Sequence, residues 1–338
     1  MKDYFFGDIH FSAMNIWNIE VGNRFVNWFI NTFSVENHKQ DTCLFAGDVT
    51  DKDTNPGRVI DQVYQLFEFC NKTFKKTIVI MGNHDKKLYR GHEQNSLIFL
   101  NRFDNVEVIE DVCQVEIEPN KTVLMMPHIR TEGVSINDYY NTFNFETQFS
   151  RSDVAFGHWT IQDENSIMYK NGVDTSRIPA DTIICGHIHD RPRPEYLGSV
   201  YPCNPLQQVC KYPRIYKIWN EDKTFTDVPL PNLLVYEDID YPNPIDPEKN
   251  KDAIRLFTVY GASSKEEAQK FYSRWYIKSA VRATQQELQE AEDFTKEKEL
   301  VKLFKSNTEA LNAMIKEEGL VISRAAYAIL QDALADHI

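Results

Sequence analysis

Five short apolar runs in this chain each stop at a glycine that is followed by an Asp, Asn or His. They read Phe5-Phe6-Gly7-Asp8-Ile9-His10, Leu44-Phe45-Ala46-Gly47-Asp48, Val79-Ile80-Met81-Gly82-Asn83-His84-Asp85, Ala155-Phe156-Gly157-His158 and Ile184-Cys185-Gly186-His187-Ile188-His189. Aromatic and β-branched runs of this length form strands, and a glycine at the end lets the backbone turn sharply. The next side chain is then left pointing off the end of the sheet. One such unit is an ordinary turn. Repeated, they gather Asp8, Asp48, Asn83 and five His at corresponding strand ends, a donor set suited to two metal ions.

The stretches between these runs carry helical patterns. Val21, Phe25, Trp28, Phe29 and Phe33 share one face, as do Val59, Val63, Leu66, Phe67 and Cys70 after Pro56. Further strands are expected at 122–126 and 196–201. The fold class is therefore α/β: two packed sheets flanked by helices, over residues 1–228. Prolines 229, 231, 242, 244 and 247 mark a connector over 229–250. A small α+β module is expected over 251–284: a strand at 256–260, a helix opened by a Ser264/Glu267 capping box and reaching about Tyr276, and a strand at 277–283. A charged stretch and two amphipathic helices fill 285–338.

Composition narrows the class. No run approaches the ~18 apolar residues of a membrane span, and no signal-peptide pattern opens the chain, so a cytoplasmic protein is expected, without membrane contact. The six cysteines contain no Cys-x-x-Cys pair, and Cys43, Cys70 and Cys185 fall in apolar patterns that suit buried thiols. A net charge of −13 repels a polyphosphate backbone, so any nucleic-acid contact must come from metals, a local basic patch or a second copy of the chain in a homodimer.

The chemistry follows from the donors. Asp8 and His10 lie two apart, so on an extended segment both face one ion, and His187 and His189 repeat the spacing. Asp48, alone at its strand end, is the natural bridge between two dications. Two dications against two carboxylates leave about +2, and at an effective dielectric near 20 each unit charge ~4 Å away is worth about 4 kcal/mol. That draws in a phosphodiester, and metal-bound water supplies the nucleophile. His84, beside Asn83, is placed to protonate the leaving oxygen, with Asp85 orienting its ring. His128 also follows a strand, without the glycine, and is a further candidate for lining the site. His38, His92 and His337 are read as surface histidines.

These motifs resemble the calcineurin-like metallophosphoesterases, whose pattern is Asp-x-His, Gly-Asp, Gly-Asn-His-Asp/Glu, Gly-His and Gly-His-x-His. Within that superfamily the chain is similar to SbcD-type DNA repair nucleases, through Gly157-His158-Trp159, Tyr196-Leu197-Gly198-Ser199 and the C-terminal modules. The resemblance implies one manganese on Asp8, His10, Asp48 and His189 and another on Asp48, Asn83, His158 and His187, with magnesium, iron or zinc as other choices for the pair. It implies His84 as the catalytic histidine, residues 251–284 as a DNA-capping module, and residues 285–338 as a docking segment for an SbcC-like coiled-coil ATPase. Lys86, Lys87, Arg90, Arg191 and Arg193 follow motifs three and five and are expected at the site mouth, meeting DNA phosphates. The pattern departs at Thr50, where the family has an aromatic, and Asp51 follows it. Other readings are a stand-alone phosphodiesterase or phosphatase for small nucleotides or phosphoproteins, and a fold kept only as a binding scaffold. The chain lacks the Asp-Arg-Gly extension of phosphatases after motif two, and no ligand position is lost.

Overall fold

In the computed structural model, β1 (Asp3–Phe6), β2 (Thr42–Phe45) and β3 (Lys76–Ile80) run parallel and side by side. Their motif loops therefore emerge at one sheet end. The described residues are 1–51, 57–89, 92–129, 134–163, 169–203, 212–281 and 285, without the side chains of 87–89, 92–94 and 146. Among them, α1 (Ile16–Phe33) follows β1 and α2 (Gly57–Thr73) follows β2. A hairpin of β4 (Lys86–Tyr89) and β5 (His92–Asn95) follows motif three. β6 (Val106–Ile109) then joins β3 in parallel.

The second sheet is built from β7 (Cys113–Glu118), β8 (Lys121–Met126), β9 (Ser152–Gly157) and β10 (Ala180–Cys185). Its order is β10-β9-β8-β7, and the β8, β9 and β10 strands are parallel. Two short helices, α3 (Ile136–Thr142) and α4 (Phe145–Gln148), lie between β8 and β9 in the chain. β11 (Ile215–Trp219) and β12 (Phe225–Pro229) return to the first sheet, whose order is β12-β11-β1-β2-β3-β6.

The two sheets pack face to face. Phe5, Leu44, Ile78 and Ile80 from one meet Val123, Met125, Val154, Phe156 and Ile184 from the other in a single buried cluster. These are alternate strand positions, as the two-residue period requires. Each such side chain contributes about 1.5–3 kcal/mol by leaving water. On the outer face Phe6 meets Phe29 and Phe33 of α1, at ring distances of 5.2 and 5.9 Å, and Phe45 meets Phe67 of α2 at 5.2 Å. Cys43, Cys70 and Cys185 are buried thiols. No helix among the described residues is long and apolar enough to cross a membrane.

Three local expectations change. Residues 196–201 form no strand; Tyr196 makes one bridge to Cys185, and Gly198, at φ 77°, turns the chain out of the extended region. His38 is buried, its Nδ1 2.8 Å from Asp41 Oδ2, and is no surface histidine. The proline-rich stretch 229–250 contains β13 (Leu234–Asp240), because its prolines flank that strand rather than interrupt it.

The chain divides into two compact units, Met1–Leu233 and Leu234–Ile338. In the second, β13, β14 (Ile254–Tyr260) and β15 (Tyr276–Val281) form a parallel sheet, with α5 (Lys265–Phe271) between the last two. Ser264 caps α5 by accepting from the Glu267 N–H, but the Glu267 carboxylate accepts from Ser263 instead of closing a box on Ser264. The helix stops at Phe271, short of Tyr276, which already belongs to β15. Gln285 apart, the expected docking segment over 285–338 lies outside the described residues.

Candidate metal centre

All five motifs converge because the strands that carry them end together. Asp8 follows β1, Asp48 follows β2, Asn83 follows β3, His158 follows β9, and His187 and His189 follow β10. The loops of the two sheets are tied to each other directly. The His128 N–H donates to Met81 O (2.8 Å), His158 Nδ1 to Ala46 O (2.7 Å), and the His187 N–H to Asp8 Oδ2 (2.8 Å). His10, Asp48 and His187 all sit at positive φ, at 54°, 45° and 74°. A non-glycine residue held there costs about 1–3 kcal/mol, and such outliers cluster at functional sites. Gly82 is needed for another reason: a Cβ there would stand 2.1 Å from Asp48 Oδ1.

Two donor sets form. In one, Asp8, His10, Asp48 and His189 bring their ligand atoms within 4.8 Å of one another. His10 Nε2 is 2.9 Å from His189 Nε2, which is 3.2 Å from Asp8 Oδ2. In the other, Asp48, His158 and His187 gather, with Asn83 between the rings. Asn83 Oδ1 is 2.9 Å from His158 Nε2 and 3.1 Å from His187 Nδ1. Asp48 belongs to both sets: its Oδ2 lies 3.6 Å from His10 Nε2 and 3.3 Å from His158 Nε2. Its other oxygen accepts the His84 N–H at 2.8 Å.

The charge pattern fits cations. Burial, then His189, holds His10 down at about 4, and burial, then His158, holds His187 at about 3. Burial acts the same way on His158, but the Asp48 charge and hydrogen bond override it and lift the ring to about 9. His189 is also lifted above its ordinary value against burial, by Cys203 and Asp8. Each set thus pulls a proton onto one imidazole. The same field attracts a divalent ion, whose binding releases that proton. Facing ring nitrogens 2.9 Å apart share at most one proton, and buried Asp8 Oδ1 has no hydrogen-bond partner among the described residues. Mixed carboxylate, carboxamide and imidazole donors suit manganese, iron or zinc.

The family model for calcineurin-like phosphoesterases matches residues 1–191. The chain belongs to that family. It is a metal-dependent phosphoesterase, a hydrolase that uses divalent ions. Comparison with curated proteins found no match. Solved structures similar to it include a protein of unknown function from Aquifex aeolicus, 18% identical, covering 47% of this chain and 80% of that one, with a TM-score of 0.27.

In this phosphoesterase His84 is partly exposed beside the donor sets. Its Nε2 is 4.0 Å from Asp48 Oδ2 and its Nδ1 is 3.5 Å from Asp51 Oδ1. Burial opposes a charged ring, but the bond to Asp51 and the charge of Asp48 raise its pKa above the ordinary value. Asp85 was expected to orient that ring, and here the structure corrects the sequence. Asp85 is fully buried and accepts from the N–H groups of Val49, Thr50 and Gly82 and from the Thr50 hydroxyl. It braces the two motif loops against each other; Asp51 is the carboxylate at His84. His128 is half-buried, its ring 6.3 Å from that of His158.

The expected basic rim is also revised. Arg191 is 1% exposed. Its guanidinium donates to the carbonyls of Tyr196 (2.7 Å) and Pro213 and lies 3.8 Å from Asp227, so it is a structural clamp that no phosphate reaches. Arg193 bonds Gln162 O and pairs with Glu195, each at 2.9 Å. Lys86 is half-buried on β4. Arg90 and the Lys87 side chain lie outside the described residues. Sequence reasoning missed Cys203, whose sulfur reaches His10 and His189. Nothing in its surroundings along the chain signals that.

Proposed function

We propose that this phosphoesterase is a manganese-dependent DNA exo- and endonuclease, the nuclease subunit of an SbcCD-like recombination and repair complex. The resemblance is nearest to the small subunit of the recombination endonuclease of T-even phages, which would place the protein in the host cytoplasm. One observation carries the reading beyond phosphoester hydrolysis. The phosphoesterase unit is followed by a second compact unit of strand, helix and strand, an appendage that hydrolysis of small phosphoesters does not require. The near end-to-end order of SbcD-type motifs supports it further.

When bound, the ions supply Lewis acidity and an activated water. The chain's own residues do the rest. Asp48 holds both donor sets in register through one carboxylate oxygen, while its other oxygen fixes the backbone of His84. His84, raised in pKa and partly exposed, protonates the leaving oxygen of the scissile phosphodiester, with Asp51 positioning its ring. Asp85 keeps the loops of motifs two and three at fixed separation.

The purified protein is incubated with manganese and end-labelled duplex or single-stranded DNA, with and without an SbcC-like ATPase, beside a chromogenic phosphodiester. Cleavage of DNA that the ATPase stimulates is the expected result. Turnover of the small substrate with intact DNA in every condition would point to a stand-alone phosphodiesterase. Deleting residues 290–338 is expected to abolish ATPase binding and to spare manganese-dependent turnover of the small substrate.

A further inference from the structure

We infer that Cys203 is a thiolate ligand of the ion held by Asp8, His10 and His189. The inference rests on the two-metal reading above. The Cys203 sulfur and ring nitrogens of His10 and His189 all lie within 4.8 Å of one another. The same two histidines belong to the set with Asp8 and Asp48, so the sulfur adjoins an existing donor set through two shared residues and does not stand alone. Its backbone is anchored to that set. The Tyr201 hydroxyl donates to His10 O at 3.1 Å, and Ser199 Oγ donates to Tyr201 O at 2.6 Å. The segment 199–203 is thereby tied to the loop that bears His10.

The other cysteines with fully buried side chains, Cys43, Cys70 and Cys185, sit in apolar cores and behave as small hydrophobes. Cys203 is partly exposed and faces the imidazoles of His10 and His189 instead, with the Tyr201 carbonyl oxygen 3.8 Å from its sulfur. As the sulfur–metal bond forms, the thiol proton leaves to solvent. The consequence is asymmetry. Asp48, Asn83, His158 and His187 offer only oxygen and nitrogen, while the Cys203 position adds a soft donor that favours zinc, iron or cobalt over manganese and magnesium. The preference is one of affinity: both sites still accept manganese, and the Asp8 side binds a borderline-soft ion more tightly.

Cobalt(II) tests this without reference to turnover. Metal-free full-length protein is titrated with cobalt and followed in the visible range, where bound cobalt absorbs, and in the near ultraviolet, where a thiolate-to-cobalt charge-transfer band appears. Both are expected in the wild type, and Cys203→Ser is expected to lose the near-ultraviolet band while keeping the visible ones. Visible bands without the charge-transfer band in the wild type would overturn the Cys203 assignment and leave the two-metal reading standing. Absence of both would sink that reading and this inference with it. A charge-transfer band that survives Cys203→Ser would assign the sulfur to another cysteine. Should the variant not fold, iodoacetamide labelling of the wild type decides, read by peptide mass spectrometry. Loaded protein is expected to protect Cys203 and metal-free protein to expose it, and equal labelling overturns the assignment.

Discussion

Each unit of this chain buries a charge cluster, and the two clusters are built on opposite terms. In the second unit Arg255 forks onto Glu237 at 2.6 and 3.0 Å, Lys249 adds a contact at 3.0 Å, and the rings of Trp275 and Phe257 cover the guanidinium at 4.9 Å. Every charge there has its partner inside the chain. In the first unit two carboxylates and four imidazoles converge with ring nitrogens facing each other and three residues at positive φ. That cluster is a donor set suited to cations from outside. A self-satisfied cluster is architecture, whereas one that keeps an electrostatic debt is a site.

The comparison breaks most severely at Asp48. Asp48→Asn removes the carboxylate common to both donor sets, so both ions and all turnover are expected to be lost. Metal analysis alongside a phosphodiester assay checks this, and retention of both ions would show that Asp48 does not bridge. His84→Ala comes next: kcat is expected to fall by about 10²–10⁴-fold, the usual worth of a positioned acid, while bound metal stays constant. If metal content falls in step with kcat, His84 is a ligand instead.

In the second unit Arg255→Met leaves buried Glu237 with only Lys249 and Asn250 beside it, and is expected to destabilise that unit by about 2–3 kcal/mol, below the cost of a wholly unpaired buried charge. Turnover of a small phosphodiester should be untouched; the check is a denaturant melt beside that assay. Manganese at a hundredfold over its Kd is expected to stabilise the first unit by about 2.7 kcal/mol per ion and the second not at all. Hydrogen exchange resolved by unit reads the contrast. The smallest effect is one of pH. Burial alone would raise the Glu237 pKa, but Arg255, Lys249 and Asn250 lower it from 4.5 to about 2. Its contribution is therefore whole above pH 4.5 and fades as pH falls towards about 2. An Arg255→Met background should flatten that acid limb.

Much of the first cluster was legible before any coordinates, because a strand end, a glycine and a ligand are neighbours in sequence. What escaped depends on the third dimension. Asp85 follows His84 directly, yet its carboxylate turns into the interior, where the N–H groups of Val49, Thr50 and Gly82 need an acceptor. Arg191 looked like a rim cation because sequence does not separate an exposed guanidinium from one that caps backbone carbonyls. Cys203 carried no pattern, since its partners His10 and His189 come from other loops. β13 was hidden by the prolines on either side of it.

Each donor set draws on both sheets: His189 completes one begun by Asp8, His10 and Asp48, and His158 and His187 complete the other with Asp48 and Asn83. The ions would thus rivet one layer of the sandwich to the other. Any loosening between the layers, even from a trimmed side chain deep among Phe5, Phe156 and Ile184, would surface first as weakened metal affinity, ahead of visible unfolding. Such a chain reports the health of its core through the occupancy of its active site.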